Sequence, residues 1–243
     1  MNIKQHIPNL ITLVNLALGC ISIVLAFEGH LYWVPYFIIA AAFADFSDGL
    51  VARVLKVSSP LGLQLDSLAD MVTFGVVPGA IIFHLLKLSL GDNALWWQFV
   101  PALMLTLFSA LRLAKFNIDK RQTEGFIGLP TPTCTMFFIS LVLIVKNNQA
   151  GLAAFILNPV FLSVIAVVFS LLLVAELPMM AFKVKNFAWK GNELRYILMI
   201  SGVLLLVFWG GLGIALSILL YIAIAIVQRL ASGKSAAPTA PTL

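Results

Sequence analysis

Charged side chains are scarce in this chain, 10% of 243 residues against 61% hydrophobic. That balance excludes an ordinary soluble domain. Apolar runs of about 20 residues, the length that crosses a hydrocarbon core, recur along it and set the class: a polytopic helical membrane protein. Cysteine is almost absent. Cys20 and Cys134 both fall inside apolar segments, where they read as packing residues and not as a disulfide, so they carry no redox inference. The first apolar segment lacks a short core closing on a small-residue cleavage site, and it is expected to stay as a helix. Acids number only 10 against 15 Lys and Arg, giving a pI near 9.4. Basic loops that set topology and meet anionic headgroups account for that excess, and no nucleic acid is needed.

What is present is a series of eight candidate spans: Ile7–Phe27, Leu31–Val54, Leu63–Leu86, Leu95–Phe116, Thr131–Val145, Pro159–Phe182, Leu194–Trp209 and Gly213–Gln228. The last two are short. Trp209-Gly-Gly-Leu-Gly213 between them reads as a tight turn, which makes the pair a hairpin or, failing that, a re-entrant segment. In this arrangement Lys4, Arg53, Lys56, Arg112, Lys115, Lys120, Arg121, Lys183, Lys185, Lys190, Arg195, Arg229 and Lys234 share one side, with only Lys87 and Lys146 opposite. The positive-inside rule then puts both termini in the cytoplasm. Trp96 and Trp97 read as interfacial belt residues. The tail Ser232–Leu243, rich in Ala, Pro, Ser and Thr, is expected to be disordered.

Against this apolar background, four of the ten acids stand at the junction of the second and third spans: Asp45, Asp48, Asp66 and Asp70. Ionisable groups at membrane depth are costly and mark function by default. A single Asp near a span end is most often paired with a neighbour such as Arg53 or Lys56. Here Asp45, Asp48, Gly49 and Ala52 follow i, i+3, i+4, i+7 spacing, so two acids and two small residues occupy one helix face. Gly62, Asp66, Ala69, Asp70 and Thr73 repeat the pattern on the next span, and Val57-Ser-Ser-Pro60 turns the chain between them. The small residues leave room for a bulky ligand. Oxygen donors with no His or Cys nearby suit two Mg²⁺ or Mn²⁺ ions, the clamp used in phosphoryl transfer. A divalent metal transporter or channel is the rival from another class. The acids gather at one membrane face, however, and no other span carries an acid at mid-depth, Glu176 lying close to a cytoplasmic end.

The string Asp45-x-x-Asp48-Gly49-x-x-Ala52-Arg53, eight residues, then Gly62-x-x-x-Asp66-x-x-x-Asp70 resembles the full signature of the CDP-alcohol phosphotransferases. These integral membrane enzymes move a phosphoalcohol from a cytidine diphosphate donor to a second alcohol and release CMP. The resemblance implies an all-α transmembrane bundle with a six-helix catalytic core. It implies that Asp45, Asp48 and Asp66, with Asp70 as a fourth metal-site residue, hold two divalent ions, and that Asp70 is also the base on the acceptor hydroxyl. Gly49, Ala52 and Gly62 would admit the cytidine, Arg53 would contact the diphosphate, and Asn9 and Thr12 would lie near the nucleotide. Many relatives carry Arg where Asn15 stands, and no role is read for it.

Softer strings resemble the serine-using branch of that family: Leu65-Asp66-Ser67 through Pro78, Ser109-Ala-Leu-Arg112-Leu-Ala-Lys115-Phe-Asn117, and Phe126-Ile-Gly128-Leu-Pro130-Thr131-Pro132. The implied reaction carries a phosphatidyl group from CDP-diacylglycerol to the hydroxyl of L-serine. Glycerol phosphate or an inositol compound remains the alternative acceptor. Arg112, Lys115 and Thr131 are the candidate acceptor-binding residues, Arg112 offering a planar clamp for the serine carboxylate. The expected organisation is a catalytic core over 1–182, a cytoplasmic basic loop and helical hairpin over 183–230, and a tail over 231–243. The resemblance also implies a homodimer; the positive-inside rule turns the acidic site to the cytoplasm, and a bacterial cytoplasmic membrane is the expected location.

Overall fold

Prolines, glycines and small polar residues fix where the helices begin and end. The computed structural model describes residues 3–119, 126–180, 189 and 192–231. In it α1 (Ile3–Phe27) and α2 (Val34–Leu55) are followed by α3 (Pro60–Asp70), which runs through a π-helical segment (Met71–Val76) into α4 (Val77–Leu90). Next come α5 (Val100–Ile118), α6 (Thr131–Asn147), the single-turn α7 (Ala153–Ile156), α8 (Pro159–Val174) and α9 (Glu193–Ala231). Proline sits in the first turn of α2, α3, α4, α5, α6 and α8, where its missing N–H costs nothing. Ser59 accepts from the Gly62 N–H and Asn158 from those of Val160 and Phe161, capping α3 and α8.

Four helical stretches are long and apolar enough to cross a membrane: His6–Phe27, Pro60–Leu90, Trp96–Ile118 and Glu193–Leu230. Their outward faces are apolar too. Phe43 and Val207 are each 72% exposed, whereas Phe74, Phe138 and Phe169 are buried. Apolar surface on this scale requires lipid around it, so this is an all-α polytopic membrane protein. Inside, α1 lies along α2 and α3, α5 along α8, and α6 along α9. The Phe137 and Phe169 rings stack at 4.2 Å, with Phe138 edge-on to Phe169.

Small residues let the third span reach the centre of the bundle. A Cβ on Gly75 would stand 3.2 Å from Ser109 of α5, and one on Gly79 would meet the Ala102 carbonyl at 2.9 Å. Gly19 of α1 lies directly on Thr73. The chain turns at the opposite end are tied by Lys146 Nζ donating to the Tyr36 hydroxyl at 3.3 Å and by the Ser89 hydroxyl donating to the Leu157 carbonyl.

Three expectations change. The third span is longer than Leu63–Leu86, running from Pro60 to Leu90, and contains a π turn that a regular apolar pattern does not reveal. The fifth extends two residues past Val145, to Asn147. The sixth span does not reach Phe182, because α8 stops at Val174. Ala175 is extended, and Pro178 both lacks an N–H and pushes Leu177 out of the helical region. The chain instead forms β2 (Pro178–Met179), antiparallel to β1 (Phe126–Ile127). Next to β1, Gly128 adopts φ +79° and abuts the Leu173 and Ala175 carbonyls.

The last segment folds back on itself. α9 breaks at Gly210 (φ 52°, ψ −120°). Gly202 lies 3.8 Å from the Ser217 hydroxyl, measured from its would-be Cβ. Fifteen residues of straight helix would separate them by about 22 Å. At the tip, Gln149 accepts from the Leu212 N–H at 2.9 Å. Lys120, Arg121, Phe182, Lys183, Lys185, Lys190, Lys234, the Lys4 side chain and the tail after Ala231 lie outside the described residues.

Candidate active site

α2 contributes Asp45, Asp48, Gly49 and Ala52 from one face, and α3 answers with Gly62, Asp66 and Asp70. Lys56 takes the left-handed conformation (φ 53°) that ends α2, so the chain reverses in a few residues and the two acidic faces meet. Asp45, Asp48 and Asp66 each place a carboxylate oxygen within 4.8 Å of the others. Asp70, one turn deeper than Asp66, is within hydrogen-bonding reach of Asp45. At about 4.8 Å two like unit charges repel by roughly 3 kcal/mol at an effective dielectric of 20, so the group requires cations or protons.

The third wall is α1. Thr12 donates its hydroxyl to Asp48 Oδ2 at 2.6 Å, both residues being buried. Between the walls lies a cleft of about 340 Å³, lined by Asn9, Thr12, Asp45, Asp48, Gly49, Ala52, Gly62 and Asp66 together with the Val57–Ser59 turn. The space beside Gly49 is open, as a bulky ligand requires. Gly62 is part of the lining, and a Cβ there would stand 2.9 Å from Asn9 Oδ1, so its smallness also lets α3 close on α1. Arg53 is exposed, and its Nε donates to the Gly49 carbonyl at 2.9 Å, which holds it beside the cleft and not in its lining.

A second cleft, of about 350 Å³, is lined by Arg112, Lys115, Ile118, Asp119, Ile127, Leu173, Val174 and Glu176. Arg112 is buried, its guanidinium 4.9 Å from the Phe116 ring and 5.9 Å from that of Phe126, and it lies within electrostatic reach of Asp70. Lys115 is exposed on the outer lining. Thr131 is not in that lining; it is fully buried at the start of α6 with an unpartnered hydroxyl. Asp70 lies in neither lining; the first cleft holds Asp66, one turn from it, and the second holds Arg112, within its electrostatic reach.

Sequence reasoning placed Thr12 near the nucleotide and did not foresee its bond to Asp48. It also left Asn15 without a role, although Asn15 falls three residues after Thr12 and is fully buried. A carboxamide in mid-span at helical spacing from a site residue was the available signal.

A carboxylate cluster with no nitrogen or sulfur donor fits hard divalent ions such as Mg²⁺ or Mn²⁺. The CDP-alcohol phosphatidyltransferase family profile matches residues 5–227. A CDP-diacylglycerol–serine O-phosphatidyltransferase of Bacillus subtilis is 32% identical over 179 residues, which is 74% of this chain and 92% of that protein. The enzyme of the same name from Helicobacter pylori is 32% identical over 56% of this chain and 57% of its own length. One from Methanocaldococcus jannaschii is 28% identical over 70% of this chain and 72% of its own. The acid-lined cleft, the signature spacing and these likenesses converge: the chain belongs to the CDP-alcohol phosphatidyltransferase family.

Proposed function

We propose that this protein transfers the phosphatidyl group of CDP-diacylglycerol to the hydroxyl of L-serine, releasing CMP and forming phosphatidylserine. The observation that carries the reading is the position of Asp70, between a carboxylate cluster suited to a diphosphate with its metal ions and a buried arginine suited to a carboxylate. Asp45, Asp48 and Asp66, with Asp70 adjoining, would hold two divalent ions, which when bound neutralise the donor diphosphate and the charge developing on CMP. Gly49 and Ala52 leave space for the cytidine, and Arg53, held to the Gly49 carbonyl beside the cleft, would contact the diphosphate. Arg112 orients serine through its carboxylate. Asp70 accepts the hydroxyl proton as the serine oxygen forms its bond to the phosphatidyl phosphorus and the bond from that phosphorus to CMP breaks.

The second cleft favours serine over a phosphorylated acceptor. Its lining carries Arg112 and Lys115 but also Asp119 and Glu176, a pattern that admits a zwitterion and repels a dianion. Arg53, Lys56, Arg112 and Lys115 cluster at the acidic end, with Lys87 and Lys146 at the other, and by the positive-inside rule the site would face the cytoplasm. Small residues on several spans permit a homodimer. The test is an acceptor panel on detergent-purified protein with Mn²⁺ and CDP-diacylglycerol, read by CMP release. Serine should be used far better than glycerol phosphate or inositol; preference for either of those would refute the assignment.

A further inference from the structure

Among the described residues, the buried side-chain polar atoms that lack a hydrogen-bond partner are both amide atoms of Asn15, Asp70 Oδ1, Arg112 Nε and Thr131 Oγ1. Buried orphans are rare, and each calls for a ligand, an ion or water. These come from four different helices, yet all border the π-helical segment. The Thr73 hydroxyl donates to the Asn15 carbonyl at 3.2 Å, which sets Asn15 level with Thr73. Thr135 donates to the Phe74 carbonyl at 2.9 Å, and Thr131 lies one turn earlier on α6, level with the start of the π segment. Gly75 meets Ser109 on α5, and Arg112 is one turn further along that helix, towards Asp70. The orphans therefore occupy one layer, about a turn below the carboxylate cluster.

We propose that this layer is one enclosed polar site and that Asn15 binds the ammonium group of the amino-acid acceptor there; the inference rests on Arg112 being the site of the acceptor carboxylate. An ammonium has three donors and no acceptor, so it needs oxygens. The Asn15 side-chain carbonyl and the Thr131 hydroxyl, both buried and unpartnered, supply them from two helices. A neutral amide suits this position, because another acid one turn from Thr12, which holds Asp48, would add to the repulsion already present in the cluster. Serine held at both ends presents its hydroxyl to Asp70.

The test compares L-serine with 3-hydroxypropionate, which keeps the carboxylate and hydroxyl but lacks the ammonium. Asn15→Leu should lower kcat/KM for serine about 10- to 100-fold, the loss expected for a hydrogen bond to a charged group. Use of 3-hydroxypropionate and the KM for CDP-diacylglycerol should stay within about twofold. The unfolding midpoint in detergent should hold or rise, because an apolar side chain replaces a buried unpartnered amide. Asn15→Ala repeats the comparison with less bulk. An equal fall for both acceptors, unchanged serine use, or lowered midpoints in both variants would each overturn the proposal. A wild-type enzyme that ignores serine, or an Arg112→Lys enzyme with unchanged serine KM, would instead sink the acceptor reading, and this inference with it. Normal serine use by Asn15→Leu sinks the inference alone.

Discussion

Replacing Thr12 with Val tests the link between α1 and the carboxylate cluster. The Thr12 hydroxyl donates to Asp48 at 2.6 Å, with the two residues 4% and 6% exposed, so water has little access to replace it. Val keeps the branched shape and suits a membrane helix, so the change is close to a single lost hydrogen bond. A charge-assisted bond of this kind contributes about 1.5–3 kcal/mol, and removing a partner that orients a metal ligand typically costs about 10- to 100-fold in metal affinity. The Mn²⁺ concentration for half-maximal CMP release should therefore rise by about that factor, with most activity returning at saturating Mn²⁺ and the serine KM unchanged. Thr12→Ser retains the hydroxyl and should restore most of the metal response. If Thr12→Val lowers activity at every Mn²⁺ concentration without moving the midpoint, or if Ser behaves as Val does, the bond does not act through the metal site.

Asp48→Asn, which keeps shape but removes the charge, should abolish nearly all turnover while the protein remains folded and inserted; substantial remaining activity would refute the two-metal assignment. A cysteine placed at Ser58, in a background without Cys20 and Cys134, should react with membrane-impermeant reagent only from the cytoplasmic side, and labelling from outside would reverse the topology. Gly128→Ala should cost about 1–3 kcal/mol, because φ is +79° and a Cβ would press on the Leu173 and Ala175 carbonyls; an unchanged unfolding midpoint would show that the β1–β2 wall relaxes freely.

The legible part of the site was the part written as spacing. Asp45, Asp48, Gly49 and Ala52 recur at helical intervals, and so do Gly62, Asp66 and Asp70, so each face could be drawn before any fold was known. Arg53 shows the limit of that reasoning. Its position along α2 follows from the sequence, but its side chain can turn to the cleft or to its own backbone, and here it bonds to Gly49. Gly62 shows another limit, since a small residue marks close approach without saying whether a ligand or a neighbouring helix arrives.

Sequence alone determined that the chain is helical and membrane-spanning, because runs of apolar residues admit few other structures in lipid, where backbone polar groups must be satisfied locally. It also determined the family, because function there resides in acids at fixed intervals on two consecutive helices. Tertiary structure decided what depends on contacts between distant segments: the bond from Thr12 to Asp48, the burial of Arg112 within reach of Asp70, and the end of α8 at Val174, where the chain leaves to pair with Phe126–Ile127. The π segment belongs with these, since it is here that Asn15, Ser109 and Thr135 converge from three helices. No periodicity within one helix can specify such meetings, because they depend on how helices far apart in the chain pack together.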